Sequence, residues 1–212
     1  MEKEFFNRNA EIVARELLGK VLVREIEGRG LKARIVETEA YFDENDPASR
    51  ACQNGDLRET MMMEPGVILI YGVHNNWMFN FVTDEKGIAS AVLIRAIEPL
   101  NFEEKCNGPG LLTKALKIGK DFHKKSIFGS NDIWIEDDER NKLVTDNTRS
   151  INSESSLSIK KNKIDQVGKN SHVSLLDTKD FEIERSFRIG VKKDLDKPMR
   201  FFVKDSKWVS RK

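Results

Sequence analysis

The sequence predicts an α+β fold, a single mixed domain built on a largely antiparallel β-sheet with flanking helices. Apolar runs of strand length recur before the midpoint, and short Gly- or Asn-containing turns join most of them where crossover helices would be needed for parallel strands. Apolar residues at helical spacing occur in EIVARELLGK and GPGLLTKALKI. At 212 residues, 39% of them hydrophobic and 33% charged, the chain can bury a real core within one domain spanning 1–212.

In chain order, EIVARELLGK reads as a short amphipathic helix stopped by its glycine. VLVREIEGRGLKARIVETEAY reads as two strands around a Gly-rich turn, a β-hairpin. ENDPASRAC is a loop marked by Asn45, Asp46 and Pro47. VILIYGVHNNWMFNFV gives two strands separated by a polar tip, and ASAVLIRAIEPL gives another strand. GPGLLTKALKI opens a helix on Pro and Gly, and DIWIED is a short strand. From about 140 to 179 the composition turns to Ser, Asn and Lys with few aromatics, which predicts a mobile polar insertion. SFRIGV and MRFFVKDSKWVS are expected to complete the sheet.

A formal net charge of +1 gives no overall attraction to polyanions, so any nucleic-acid contact must come from a local basic patch. The start MEKEFFNRNA lacks the basic-then-apolar pattern of a signal peptide, and no apolar run approaches membrane-spanning length. With only Cys52 and Cys106, neither near other ligand-type residues, a reducing cytoplasmic setting is expected and both thiols read as small apolar filler.

The stretch RIVETEAY, Arg34 to Tyr41, is the most informative. Period-2 alternation would put Ile35, Glu37, Glu39 and Tyr41 on one face and Arg34, Val36, Thr38 and Ala40 on the other. Buried carboxylates need partners, and Arg95, inside the apolar AVLIRAIEPL, is the candidate. Local sequence favours a structural Glu–Arg ion pair. Two functional readings stand beside it: paired acids acting on a glycosidic bond, or a carboxylate beside an arginine activating a water molecule.

Seven segments in order, ARELLGKVLVR, RIVETEAY, DPAS, EPGVILIYGVH, AVLIRAIEPL, NGPGLLTKAL and RIGV followed by KPMRFFVKDSKWVS, resemble the alkyladenine (3-methyladenine) DNA glycosylase family of the mammalian type. The resemblance covers nearly the whole chain except the polar insertion. It implies a monofunctional enzyme of base-excision repair that flips a damaged purine out of double-stranded DNA and hydrolyses its bond to the sugar. The fold it implies carries the pocket on the sheet and projects a β-hairpin into the minor groove. On this resemblance Glu39 activates the attacking water, Arg95 positions it and the backbone carbonyl of Val191 completes its cradle, with Glu37 a supporting acid. Tyr41 and Tyr71 match aromatics that sandwich the flipped base, Asn80 matches a residue whose amide excludes normal guanine, and Arg50 and Leu93 complete the base-binding set. No metal, cofactor or lysine nucleophile is implied. The partner is damaged duplex DNA and no membrane; the protein is expected to act as a monomer, at the nucleoid or in a nucleus according to its source. Without the resemblance, Tyr41 and Tyr71 read as core aromatics and Asn80 as a turn cap.

Two departures stand out. The family usually has histidine after the serine of DPAS, where this chain has Arg50; a guanidinium stacks on a purine but repels a cationic alkylated base, which predicts a tilt toward hypoxanthine and ethenoadenine over 3-methyladenine. YGVHNNWMFN lacks the family's intercalating tyrosine, which leaves Val73 or His74 as the wedge. Basic residues in RIGVKKDLDKPMR and from Lys114 to Lys125 are candidates for phosphate contact. Two rivals remain: a lesion-binding protein without turnover on the same fold, and a glycoside hydrolase acting on soluble sugar.

Overall fold

The computed structural model describes residues 1–138 and 181–210; the polar stretch at 140–179 lies outside them. All the described residues but Asp138 belong to one compact unit, Met1–Asp137 together with Phe181–Lys212. Among them no helix is long and apolar enough to cross a membrane.

After the single turn α1 (Lys3–Phe6), helix α2 (Ala10–Leu17) begins at Asn9, whose side-chain oxygen accepts the Glu11 N–H at 3.0 Å. Ala10, Val13, Ala14 and Leu17 form its buried stripe. Gly19, at φ +86°, supplies the left-handed conformation that turns the chain out of the helix. Strands β1 (Val21–Ile26) and β2 (Arg29–Tyr41) follow as a hairpin closed by Glu27 and Gly28, both at positive φ as a two-residue type I′ turn requires. Helix α3 (Asp56–Met61) precedes a second hairpin, β3 (Ile68–Val73) and β4 (Asn76–Val82), and then β5 (Ala91–Pro99). Helix α4 (Pro109–Ala115), β6 (Ile133–Glu136), β7 (Ile183–Ser186) and β8 (Arg200–Val203) complete the described elements.

The sheet order is β3-β4-β5-β2-β1-β6, and every pairing among the described strands is antiparallel. The 13-residue β2 is its axis. One edge of β2 pairs with β5 over Ala33 to Tyr41; the other pairs first with β1, over Arg29 to Arg34, and then with β8, over Glu37 to Glu39. β8 in turn carries β7.

A β-bulge in β2 corrects the alternation read from the sequence. The register against β5 shifts on both sides of Glu37, so a strand that sends Leu31, Ala33 and Ile35 into the main core sends Ala40 there beyond the bulge. The Thr38 hydroxyl likewise turns to α2, donating to the Ala14 carbonyl at 2.8 Å. Ile35 therefore does not share a face with Glu39 and Tyr41; the irregularity, which takes in Val36 and Glu37 on β2 and Arg95 and Ala96 on β5, resets the alternation and aims the later odd positions of β2 away from the core. The opposite face holds a second apolar cluster containing Tyr41, Leu69, Met78 and Leu93.

Two further expectations change. RIGV is not a strand: β7 ends at Ser186, because Arg188 and the Ile189 amide bond side chains of other segments and leave no ladder to continue. Cys106 is core filler, and burial pushes its thiol up to about 12. Cys52 is exposed, its sulfur 2.8 Å from the Asp46 carbonyl.

Candidate active site

Antiparallel register lines up one row of side chains across the sheet. Leu69 in β3 lies opposite Asn80 in β4, Asn80 opposite Leu93 in β5, Leu93 opposite Glu39 in β2, and Glu39 opposite Arg200 in β8. Directly opposed residues share a face, so the bulge delivers Glu39 into a row already formed by the two hairpins.

Glu39 is completely buried. One carboxylate oxygen accepts from the Tyr41 hydroxyl at 2.7 Å and from Arg95 Nη1 at 3.3 Å; the other accepts the Ile189 backbone N–H at 2.8 Å. Burial raises its pKa above the usual carboxylate range, and Arg95, the Ile189 amide and the Tyr41 hydroxyl pull it back only in part. A carboxylate moved toward neutrality accepts protons better than an ordinary one. Burial also raises Tyr41, with the Glu39 charge adding to the effect, so its phenol stays protonated as the donor to Glu39.

Glu37 has a different environment. It accepts from Arg95 Nε at 3.3 Å, Arg200 Nε at 2.6 Å, and both the backbone N–H and hydroxyl of Ser210, at 2.7 and 2.9 Å. Arg95 thus spans both acids, with its far side committed to a carboxylate that already has several donors.

The RIGV loop closes over Glu39 through Arg188. This guanidinium is fully buried, donates to both oxygens of Asp46 at 2.6 and 2.7 Å, to Asp194 at 2.8 Å and to the Ala40 carbonyl at 2.9 Å, and lies 4.6 Å over the Tyr41 ring. Burial alone would lower its pKa, but Asp46 and Asp194 outweigh it and hold Arg188 above the ordinary arginine value.

In front of this layer opens a pocket of about 510 Å³, a size suited to one small flat ligand. Tyr41, Arg50, Tyr71, Val73, His74, Leu93, Arg95 and Val191 all line it. Eight of the residues singled out from the sequence therefore meet at one cavity. Glu39 sits behind that lining, bonded to three groups that form it. Asn80 also lies behind it, its amide nitrogen donating to the Leu69 and Met78 carbonyls at 3.0 and 3.2 Å. Burial raises the Tyr71 pKa despite Arg50, whose guanidinium stands 4.6 Å over the Tyr71 ring.

The pocket rim includes the β3–β4 tip. His74 and Asn75 both take positive φ, at 46° and 60°, so the tip is a two-residue turn that leaves His74 exposed beside the half-buried Val73. The Asn76 amide donates to the His74 carbonyl at 2.8 Å and packs on the start of α4, where a Cβ on Gly110 would fall 2.6 Å from it. Gly110 therefore permits the close approach that braces the tip. Sequence reasoning read NGPGLLTKAL as a helix and missed that Pro109, Gly110 and Leu111 line the pocket; the Pro-Gly opening was the available signal. It also placed Arg188 only among the candidates for phosphate contact and missed its buried ion pairs, although a charge between Phe187 and Ile189 is the same clue that marked Arg95.

Of the basic candidates, Arg188 and Arg200 are buried in ion pairs and do not face solvent. Lys192 and Lys193, beside the pocket-lining Val191, are exposed, as is Lys114 one turn beyond the opening of α4. Among the described residues no group of three His, Cys, Asp or Glu side chains is placed to hold a metal ion.

Residues 4–158 match the family model of methylpurine-DNA glycosylase. The chain belongs to that family. Three curated relatives, each named "Putative 3-methyladenine DNA glycosylase", extend the likeness over the whole methylpurine-DNA glycosylase chain. The protein of Aeropyrum pernix is 33% identical over all of this chain and 93% of its own, and that of Clostridium perfringens strain 13 is 33% identical over 99% of this chain and 98% of its own. The protein of Borreliella burgdorferi strain B31 is 34% identical over the full length of both. Methylpurine-DNA glycosylases act on DNA in base-excision repair.

Proposed function

We propose that the protein is a monofunctional DNA glycosylase that flips a damaged purine from duplex DNA and hydrolyses its N-glycosidic bond with a water deprotonated by Glu39. The observation that carries this reading is a fully buried carboxylate of raised pKa, directly behind a pocket walled by Tyr41 and Tyr71. Glu39 takes the water's proton as oxygen adds to the anomeric carbon; the C–N bond breaks and its electron pair leaves with the base. Arg95 and the Val191 carbonyl orient the water, and the two tyrosine rings stack on the base, worth about 1–3 kcal/mol for each base–aromatic stack. Val73 and His74 form the wedge that fills the vacated stack. The chain acts as one domain and as a monomer.

The lesions proposed are hypoxanthine and ethenoadenine ahead of 3-methyladenine, the lesion in the relatives' name. Arg50 is the reason. Its guanidinium stands beside the Tyr71 ring at the wall of the pocket and carries a fixed positive charge next to the bound base. Single-turnover base release from duplexes carrying each lesion tests the reading. Release of at least one lesion is expected; binding to all three without release would favour the lesion-binding alternative. Arg50→His is expected to raise 3-methyladenine release relative to hypoxanthine by about tenfold, the order of one nearby charge. An unchanged ratio would remove Arg50 as the selector.

Lys192 and Lys193 supply phosphate neutralisation at the rim. Replacing both with Ala is expected to weaken duplex binding whatever the sequence and to flatten the slope of log K against log salt by about 0.9 for each phosphate no longer neutralised. A slope equal to that of the natural protein would move the phosphate track elsewhere.

A further inference from the structure

The structure carries one buried charge whose connections exceed what holding a loop requires. Arg188 touches Asp46 in the loop that leads to Arg50, Ala40 and Tyr41 in the strand that carries Glu39, and Asp194 beyond the turn at Gly190. The next residue, Ile189, donates its N–H to Glu39, and Val191 lines the pocket two residues later. Asp194 also accepts the Arg188 backbone N–H at 2.9 Å, which closes the loop on itself.

We propose that Arg188 is a positioning residue of the hydrolytic site: its clamp on Asp46, Asp194 and the Ala40 carbonyl sets the Ile189 amide on Glu39 and ties the lesion-selecting loop to the catalytic strand. The inference rests on the reading of Glu39 as the base. A planar fork is needed because three acceptors must be met at once in fixed directions, and a lysine ammonium meets such a set poorly. Glycine at 190, at φ +77°, lets the chain reverse immediately after the amide, so the amide's aim is decided by Arg188 on one side and that turn on the other.

The consequence falls on Glu39. An amide hydrogen bond favours the ionised carboxylate, so a slack loop raises the pH at which Glu39 takes up its proton. The other groups facing it stay in place: Arg95 from β5, Glu37 and Tyr41 from β2, Tyr71 from β3, and Arg200 opposite in β8. A role confined to stability would lower the melting temperature and leave that pH unmoved.

The test follows the Glu39 carboxyl directly, by carbon-13 NMR titration of glutamate-labelled full-length protein with the signal assigned from its loss in Glu39→Gln. Arg188→Lys and, as a milder variant that folds if the first does not, Asp194→Asn are compared with Val13→Ala, which opens a cavity in the main core on the face of the sheet opposite Glu39. The midpoint is expected to rise by about one pH unit in the Arg188 and Asp194 variants, the order of one charge-assisted hydrogen bond, and to stay fixed in Val13→Ala. Single-turnover release at a pH below the midpoint should fall about tenfold in step with it. An unmoved midpoint in folded Arg188→Lys or Asp194→Asn overturns the proposal. If the natural protein releases no base, the glycosylase reading fails while the midpoints still decide the role of Arg188.

Discussion

Glu39→Gln is expected to lower single-turnover base release by about 10² to 10⁴-fold, the range for a lost general base, while duplex binding changes little. The substitution keeps the shape and leaves an oxygen to accept the Ile189 N–H, so the pocket stays formed. Binding through the rim does not use a carboxylate that is wholly buried behind the lining. Release that survives in the variant would assign the proton to another group and withdraw Glu39 as the base. The same substitution carries a linked effect on stability. Folding raises the Glu39 pKa above its ordinary 4.5, so the folded state holds this proton more tightly than the unfolded one. The stability from it is complete below that value and is lost as pH rises through the folded pKa. Glutamine has no such dependence. Unfolding free energies should therefore move in favour of Glu39→Gln as pH rises from about 4.5 toward neutrality, and a pH-independent difference would contradict the raised pKa.

That linkage makes Glu39 a carboxylate whose burial costs stability as pH rises, and burial likewise decides which parts of the molecule were legible. The hairpins were readable because polar tips at Glu27-Gly28 and His74-Asn75 interrupt β-branched runs with residues that accept positive φ. Helix α2 was readable from its buried stripe and glycine stop. The bulge at Glu37 was not, because every residue from Ile35 to Tyr41 is buried and alternation disappears where both faces are covered. Alternation nevertheless grouped Glu37, Glu39 and Tyr41 correctly, since all three lie on or beyond the bulge; only Ile35 fell on the wrong side. RIGV was misread as a strand for the same reason that Arg188 was assigned to phosphate contact and its buried role missed. Its apolar spacing imitates a ladder, whereas its hydrogen bonds go to Glu39, Asp46 and Asp194, partners up to 150 positions away that no local pattern encodes. The resemblance supplied what periodicity could not, and the geometry brings eight of its residues to one cavity.

Arg95→Met is expected to cost about 3–5 kcal/mol of stability at neutral pH, the range for breaking a buried ion pair by removing one partner. The two acids do not share that loss equally. Glu37 keeps Arg200 and both Ser210 donors, whereas Glu39 keeps only the Tyr41 hydroxyl and the Ile189 amide. Arg95 is also the largest influence holding the Glu39 pKa down, so its removal raises that pKa further and leaves less of Glu39 ionised at a given pH. Base release should fall too, since the variant loses part of the ionised Glu39 together with the group proposed to orient the water. Because protonation relieves the uncompensated charge, the stability deficit should shrink as pH drops, measurable as converging denaturation midpoints of the two proteins in acid. The decisive comparison is the double variant Arg95→Met with Glu39→Gln. If the deficit comes from a stranded Glu39 charge, removing that charge restores much of the stability lost in Arg95→Met, and the double-mutant cycle gives a coupling on the order of 1–3 kcal/mol. Additive losses would instead place the cost in packing around the arginine stem, and Glu39 and Arg95 would then act as neighbours rather than as one charged unit.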